Sequence, residues 1–198
     1  MGSPVTFWVS KDSGSEDAIA YVIQSGLGLP DEAYYREEAH AETLSAYEKH
    51  VAEMLEFLDP ARLFGLGAEV AAHRIVSLEK ELAAGHWDVV STRDAVKTYN
   101  PCEFSELPTM TRALLSGGNL PEHRVVNMMP SYLEHFESLF TTARMADWQL
   151  WATWHILRSR AAMLPEEVGA KNFEFYGTKL SGATQQRDRW KRAVGPVS

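Results

Sequence analysis

The chain has 198 residues, 45% of them hydrophobic and 23% charged, which excludes a disordered tail and is long enough to bury a core without a disulfide or structural metal. The single cysteine, Cys102, leaves no internal disulfide to form. A net charge of −8 argues against a nucleic-acid or anionic-membrane partner, because both are held by concentrated positive charge.

No apolar run approaches the roughly 20 residues that cross a bilayer. Met1-Gly2-Ser3-Pro4 lacks the basic and apolar regions of a signal peptide and reads as an appended start. The chain is therefore expected to be an excised piece of a longer protein, cytoplasmic or exported, with residues 5–198 forming a single mostly helical domain.

Val5 to Val9 and Ala20 to Gln24 are β-branched and aromatic, and the polar segment between them contains Gly14, which predicts a hairpin. Ser25-Gly26-Leu27-Gly28-Leu29-Pro30 ends the second strand. A long helix is predicted from Asp31 to about Leu58: Asp31 and Glu32 suit the positive end of its dipole, and Asp59-Pro60 stops it. Tyr47, Val51, Met54, Leu55 and Leu58 form its apolar stripe. A second helix spans roughly Ala68 to Ala84, with Ala71, Ile75, Leu78 and Leu82 on one face and Gly85 as its stop.

A turn-rich passage, Trp87 to Pro101, precedes a short helix from Ser105 to Leu115, and Gly117-Gly118-Asn119 breaks the chain. Val125-Val126-Asn127 reads as a short strand, and Pro130 as the first residue of a helix running to about Phe140. Further helices are predicted over Asp147 to Met163, Pro165 to Leu180, and from near Ala183. Trp148, Trp151, Trp154, His155, Leu157 and Met163 mark the first of these as central to the core, a packing stripe rather than a cofactor box. The fold class is thus mainly α, a multi-helix lobe with a short N-terminal β-hairpin.

The sequence contains no recognisable catalytic constellation. A thermolysin-type zinc site needs two histidines one helical turn apart with a glutamate between them. No two of His40, His50, His73, His86, His123, His135 and His155 are three or four residues apart, and Glu-x-x-x-Asp is absent. Glu37-x-x-His40 is a single match to the paired motif that a di-iron bundle requires twice. His155, beside Trp154, reads as a core histidine. Cys102 follows a proline in an irregular passage, with no helix start to activate it.

Gly26-Leu27-Gly28 serves a turn and not a phosphate cradle. Glu37, Glu38 and Glu42, like the basic cluster Arg187, Arg189, Lys191 and Arg192 around Trp190, read as solvated helix surface. No residue is therefore assigned a catalytic, cofactor-binding or metal-binding role.

The order of the segments carries a resemblance. Gly26-Leu27-Gly28-Leu29-Pro30 followed by Tyr34-Tyr35 resembles the Gly-Leu-Gly-Leu-Pro-x-x-x-Tyr-Tyr signature of the neprilysin family of zinc metalloendopeptidases. Thr98-Tyr99-Asn100-Pro101, Pro130-Ser131-Tyr132-Leu133, Trp154 to Ser159, Phe175 to Gly182 and Arg189 to Arg192 continue it in the same order. One cysteine and no Asn-x-Ser/Thr sequon make the wording similar to the disulfide-free bacterial branch.

The resemblance implies a two-lobed parent in which a zinc-bearing catalytic lobe is closed over by a helical lobe, and the matched segments belong to the latter. Zinc is then expected in the parent's catalytic lobe and no cofactor in this segment. The implied partners are that catalytic lobe and oligopeptide substrates. A lobe facing another is also expected to expose a contiguous apolar patch. Two alternatives stay open: a free-standing helical module that binds a peptide or protein, and a metal-dependent enzyme using scattered histidines.

Overall fold

The computed structural model describes residues 2–118, 120 and 123–188; Asn119, the last residue of the predicted Gly117-Gly118-Asn119 break, and the motif Arg189 to Arg192 lie outside the described residues. Two compact units organise the chain: Ser3–His40 with Leu78–Ala146, and Ala41–Ser77 with the residues from Asp147 onward. Among the described residues there are seven α-helices and four strands, a mainly α fold as predicted.

The sheet belongs to the first unit. β1 (Val5–Lys11) and β2 (Ala18–Gln24) form the predicted hairpin, antiparallel from Val5 opposite Gln24 to Lys11 opposite Ala18. Its connection is tied by the Asp12 carboxylate, which accepts from the Gly14 amide, the Ser15 hydroxyl and Tyr99 Oη. The hairpin is half of a larger sheet, ordered β1-β2-β4-β3, because β4 (Val125–Asn127) pairs parallel to β2 and β3 (Pro101–Cys102) pairs antiparallel to β4. Cys102 is consequently a strand residue and not part of an irregular passage, and burial raises its thiol pKa away from reactivity. The Pro4 carbonyl accepts from the Ser25 amide at 3.0 Å and from Tyr132 Oη at 2.6 Å.

The predicted long helix from Asp31 to Leu58 is broken. α1 (Ala33–Arg36) ends where Glu37 turns extended, at φ −93° and ψ 134°, and after a 3-10 turn over Glu38–His40 the chain resumes as α2 (Ala41–Leu55). Nothing in Glu37-Glu38-Ala39 opposes a helix; the break comes from tertiary bonds on the residues just before it. Tyr35 Oη donates to Glu79 Oε2, and the Arg36 guanidinium donates to the Ala83 and His86 carbonyls.

α2 also stops short of Leu58. Asp59 accepts from the Ala61 amide and starts a 3-10 turn at Pro60, leaving Leu58 half-buried beyond the helix. α3 (Ala68–Gly85) matches its prediction, and Ala71, Ile75, Leu78 and Leu82 are all buried.

The predicted Ser105–Leu115 helix divides into a 3-10 turn (Phe104–Glu106) and α4 (Thr109–Gly117), because Pro108 is extended at ψ 149° and forms the N-cap rather than a helical turn. α5 (Pro130–Leu139) starts at the predicted proline.

α6 (Met145–Arg160) buries Trp148, Leu150, Trp151, Trp154, His155 and Leu157, which together cover about half of the helix circumference, a broad apolar face. Met163, predicted to join them, lies past its end and is 43% exposed. α7 (Glu166–Phe173) continues only as a π turn, Glu174–Lys179, instead of a regular helix to Leu180. The Phe173 ring lies over Gly177, where a Cβ would come 2.2 Å from Cε2, so the wider turn holds a ring that a side chain would displace. No helix begins near Ala183 among the described residues.

Candidate functional site

In the sheet-bearing unit an open cavity of about 410 Å³ lies between the end of β2, the Gly26–Glu32 turn and the segment after α3. That volume is within the roughly 300–1,000 Å³ of small-molecule sites. Its shape is set by bonds that sequence neighbours do not make. Gln24 exchanges two hydrogen bonds with the Trp87 backbone, each 2.8 Å, and Trp87 Nε1 donates to Ser131 Oγ at 2.7 Å. Trp8, stacked on Tyr21 at 5.6 Å, forms one wall.

The turn itself is built from the decapeptide. Gly26 adopts φ +99°, open to glycine and strained for other residues. Tyr35 Oη then accepts from the Gly28 amide at 3.1 Å and the Leu29 amide at 3.0 Å while donating to Glu79 Oε2 at 2.7 Å. A tyrosine at that spacing from the glycines is what the turn needs to satisfy its amides.

His86 closes the cavity floor, buried against the edge of Tyr132, its Nε2 donating to the Ser25 carbonyl at 3.2 Å. Desolvation lowers its pKa from 6.5 to about 4. The unfolded chain therefore takes up a proton as pH falls below 6.5 while the folded one resists until about 4, so stability is full above that window and is lost within it. His86→Gln is expected to flatten the decline of urea stability between pH 6.5 and 4 by at most about 1.4 kcal/mol per pH unit. An unchanged slope in the variant would show that His86 is not buried neutral.

The helical unit holds a second, smaller cavity of about 160 Å³ beside His50. His50 stacks on Phe175 at 4.8 Å and meets Trp154 edge-on at 5.8 Å, and desolvation takes its pKa to about 4 as well. Lys171 bridges Glu53 at 2.7 Å and Glu174 at 3.2 Å across its mouth.

The other residues singled out by the sequence are dispersed. His40 stacks on Tyr34, His73 pairs with Glu48, His135 Nε2 contacts the Glu81 carbonyl, His123 is exposed, and His155 is buried against Trp151 at 4.1 Å. Glu37, Glu38 and Glu42 are exposed. Among the described residues no three His, Cys, Asp or Glu side chains group as a metal site. Glu32, expected at the positive end of a helix, is the N-cap residue of α1 and also a cavity wall, 6% exposed and making no side-chain cap bond. The cavity is formed by segments distant in the chain, so sequence periodicity carried no signal that Glu32 lines it.

A mainly α chain with a four-stranded sheet and the clamped Gly-Leu-Gly-Leu-Pro turn is the class defined so far. The model of Peptidase family M13 matches residues 1–198, and the chain belongs to that family, corresponding to its N-terminal region. It is similar to the Mycobacterium tuberculosis zinc metalloprotease Zmp1 in its open state, with a TM-score of 0.86 and 40% identity over 98% of this chain and 31% of that one.

Neprilysin-2 of Drosophila melanogaster is 28% identical over 186 residues, which are 86% of this chain and 23% of that protein. PepO from Lactobacillus rhamnosis, at 20% identity, shares the fold with a TM-score of 0.79. The chain thus spans about a third or less of the length of the relatives it matches.

Proposed function

We propose that this chain is the non-catalytic lobe of a zinc metalloendopeptidase, forming the wall and size filter of a chamber in which oligopeptides are cleaved, and contributing no reacting group. The observation that carries the reading is the family match across residues 1–198, combined with coverage of only 31% of the zinc metalloprotease Zmp1. It is supported by the sequence, which contains neither His-Glu-x-x-His nor Glu-x-x-x-Asp, so the zinc ligands and general base would come from the rest of the parent. Trp8 and Val89, 43% and 39% exposed at the rim of one cavity, are apolar surface of the kind a lobe presents to a partner or substrate.

The proposed partners are the catalytic lobe and oligopeptides. A net charge of −8 disfavours nucleic acid, and no described helix is long and apolar enough to cross a membrane.

Purified chain supplied with zinc and a quenched oligopeptide is expected to show no turnover above buffer. Chelator-sensitive hydrolysis by the pure chain would overturn the reading. So would an encoding gene with no His-Glu-x-x-His beyond the codon for Ser198.

A further inference from the structure

Glu32 lines the 410 Å³ cavity, is 6% exposed, and its carboxylate makes no hydrogen bond or ion pair to any described residue. The side chain is mostly buried and its oxygens, which are not among the fully enclosed unpartnered atoms, open only on this cavity, where a cation would match the charge. The cavity provides none: Asp31 adds a second acid, and no lysine or arginine is among the residues lining it. Asp31 is partly engaged, since its Oδ1 accepts from the Ala33 amide at 3.1 Å, which leaves Glu32 as the principal unmatched charge.

The remaining walls suit the alkyl stem and flat face of a basic side chain. Trp8 and Trp87 line the same space with Leu27 and Met128, and an aromatic face beside a carboxylate attracts guanidinium and ammonium groups. Trp87 is held by its bonds to Gln24 and Ser131 and Trp8 by its stack on Tyr21, so the walls stand without a ligand to order them.

We propose that this cavity is a binding subsite for a cationic side chain, arginine or lysine, of a peptide, with Glu32 as the charge partner and Trp8 and Trp87 as the walls. The peptide source rests on the oligopeptidase reading above; the cation chemistry does not. The site deepens that reading by naming a substrate class, peptides carrying a basic residue.

The test titrates the 198-residue chain at low salt with three probes: N-acetyl-arginine methylamide, its uncharged analogue N-acetyl-citrulline methylamide, and the tripeptide acetyl-Ala-Arg-Ala-amide. Binding is read from the indole N–H resonances of Trp8 and Trp87. The arginine probe is expected to bind at least about tenfold more tightly than citrulline, and the tripeptide more tightly than the single residue. Glu32→Gln is expected to weaken arginine binding about tenfold or more, and Asp31→Asn to weaken it less.

Removing an unmatched buried charge should also leave the urea midpoint of free Glu32→Gln equal to or above that of the parent chain. Equal binding of arginine and citrulline, or a lowered midpoint marking Glu32 as a structural partner, overturns the proposal. Equal affinity for the tripeptide and the single residue overturns its peptide part. All readouts are binding and stability of this chain, so they are independent of whether a peptidase activity is found in a longer protein.

Discussion

Trp154→Ala is expected to destabilise the helical unit by about 4 kcal/mol, among the largest effects of any single truncation in this chain. Trp154 is 0% exposed, donates its indole N–H to Tyr47 Oη at 2.8 Å, and meets His50 edge-on. Truncation to alanine removes the apolar burial, opens a cavity and deletes the indole hydrogen bond to Tyr47. Tyr47 itself packs against Phe175, so the loss reaches α2, α6 and the π turn together.

Urea denaturation followed by circular dichroism measures the change. Trp154→Phe, which keeps a ring but not the donor, should cost less, about 1–2 kcal/mol. A loss below about 1.5 kcal/mol for the alanine variant would remove Trp154 from the centre of the core.

Tyr35→Phe is the second. The phenol oxygen makes three hydrogen bonds, to the Gly28 and Leu29 amides and to Glu79, which is 0% exposed. Deleting one oxygen therefore withdraws a partner from three groups, two of them in the turn that bounds the larger cavity. Each hydrogen bond lost from a buried group costs about 1 kcal/mol, so a loss of up to about 3 kcal/mol is expected in the unfolding free energy from urea denaturation.

Amide exchange localises the effect. Gly28 and Leu29 should lose about two orders of magnitude of protection, whereas the amides of α6 should change little. Uniform loss of protection across the chain would mean that Tyr35 acts through global stability and not as a clamp on this turn. The same variant bears on the proposed cation subsite, since Glu32 follows that turn by three residues from Leu29.

The family and its signature were legible in the residues, and the clamp explains why. Gly-Leu-Gly-Leu-Pro-x-x-x-Tyr-Tyr encodes a turn together with the side chain that satisfies it, both within ten residues, so a local pattern carries a local structure. The hairpin, α3, α5 and the centrality of α6 were legible for a similar reason. Alternation and apolar periodicity are properties of one segment, and each of these segments buries the face its own pattern marks.

The absence of a zinc motif was equally a matter of sequence, since it needs only the spacing of seven histidines. The helix break at Glu37 was not legible. Glu-Glu-Ala-His-Ala-Glu favours a helix, and the bonds that end α1 run from Tyr35 and Arg36 to residues more than forty positions later.

By itself, then, the sequence determined the helical class, the hairpin, the M13 membership and the lack of a His-Glu-x-x-His site, because each depends on patterns written within single segments. Tertiary structure alone decided that the hairpin extends into a four-stranded sheet through strands about a hundred residues away, and that Cys102 is a strand residue with a raised pKa. It also decided that Glu32 faces a cavity with no cation to match it. These outcomes are set by pairings and burial between segments distant in the chain, and the periodicity of either segment holds no record of its partner.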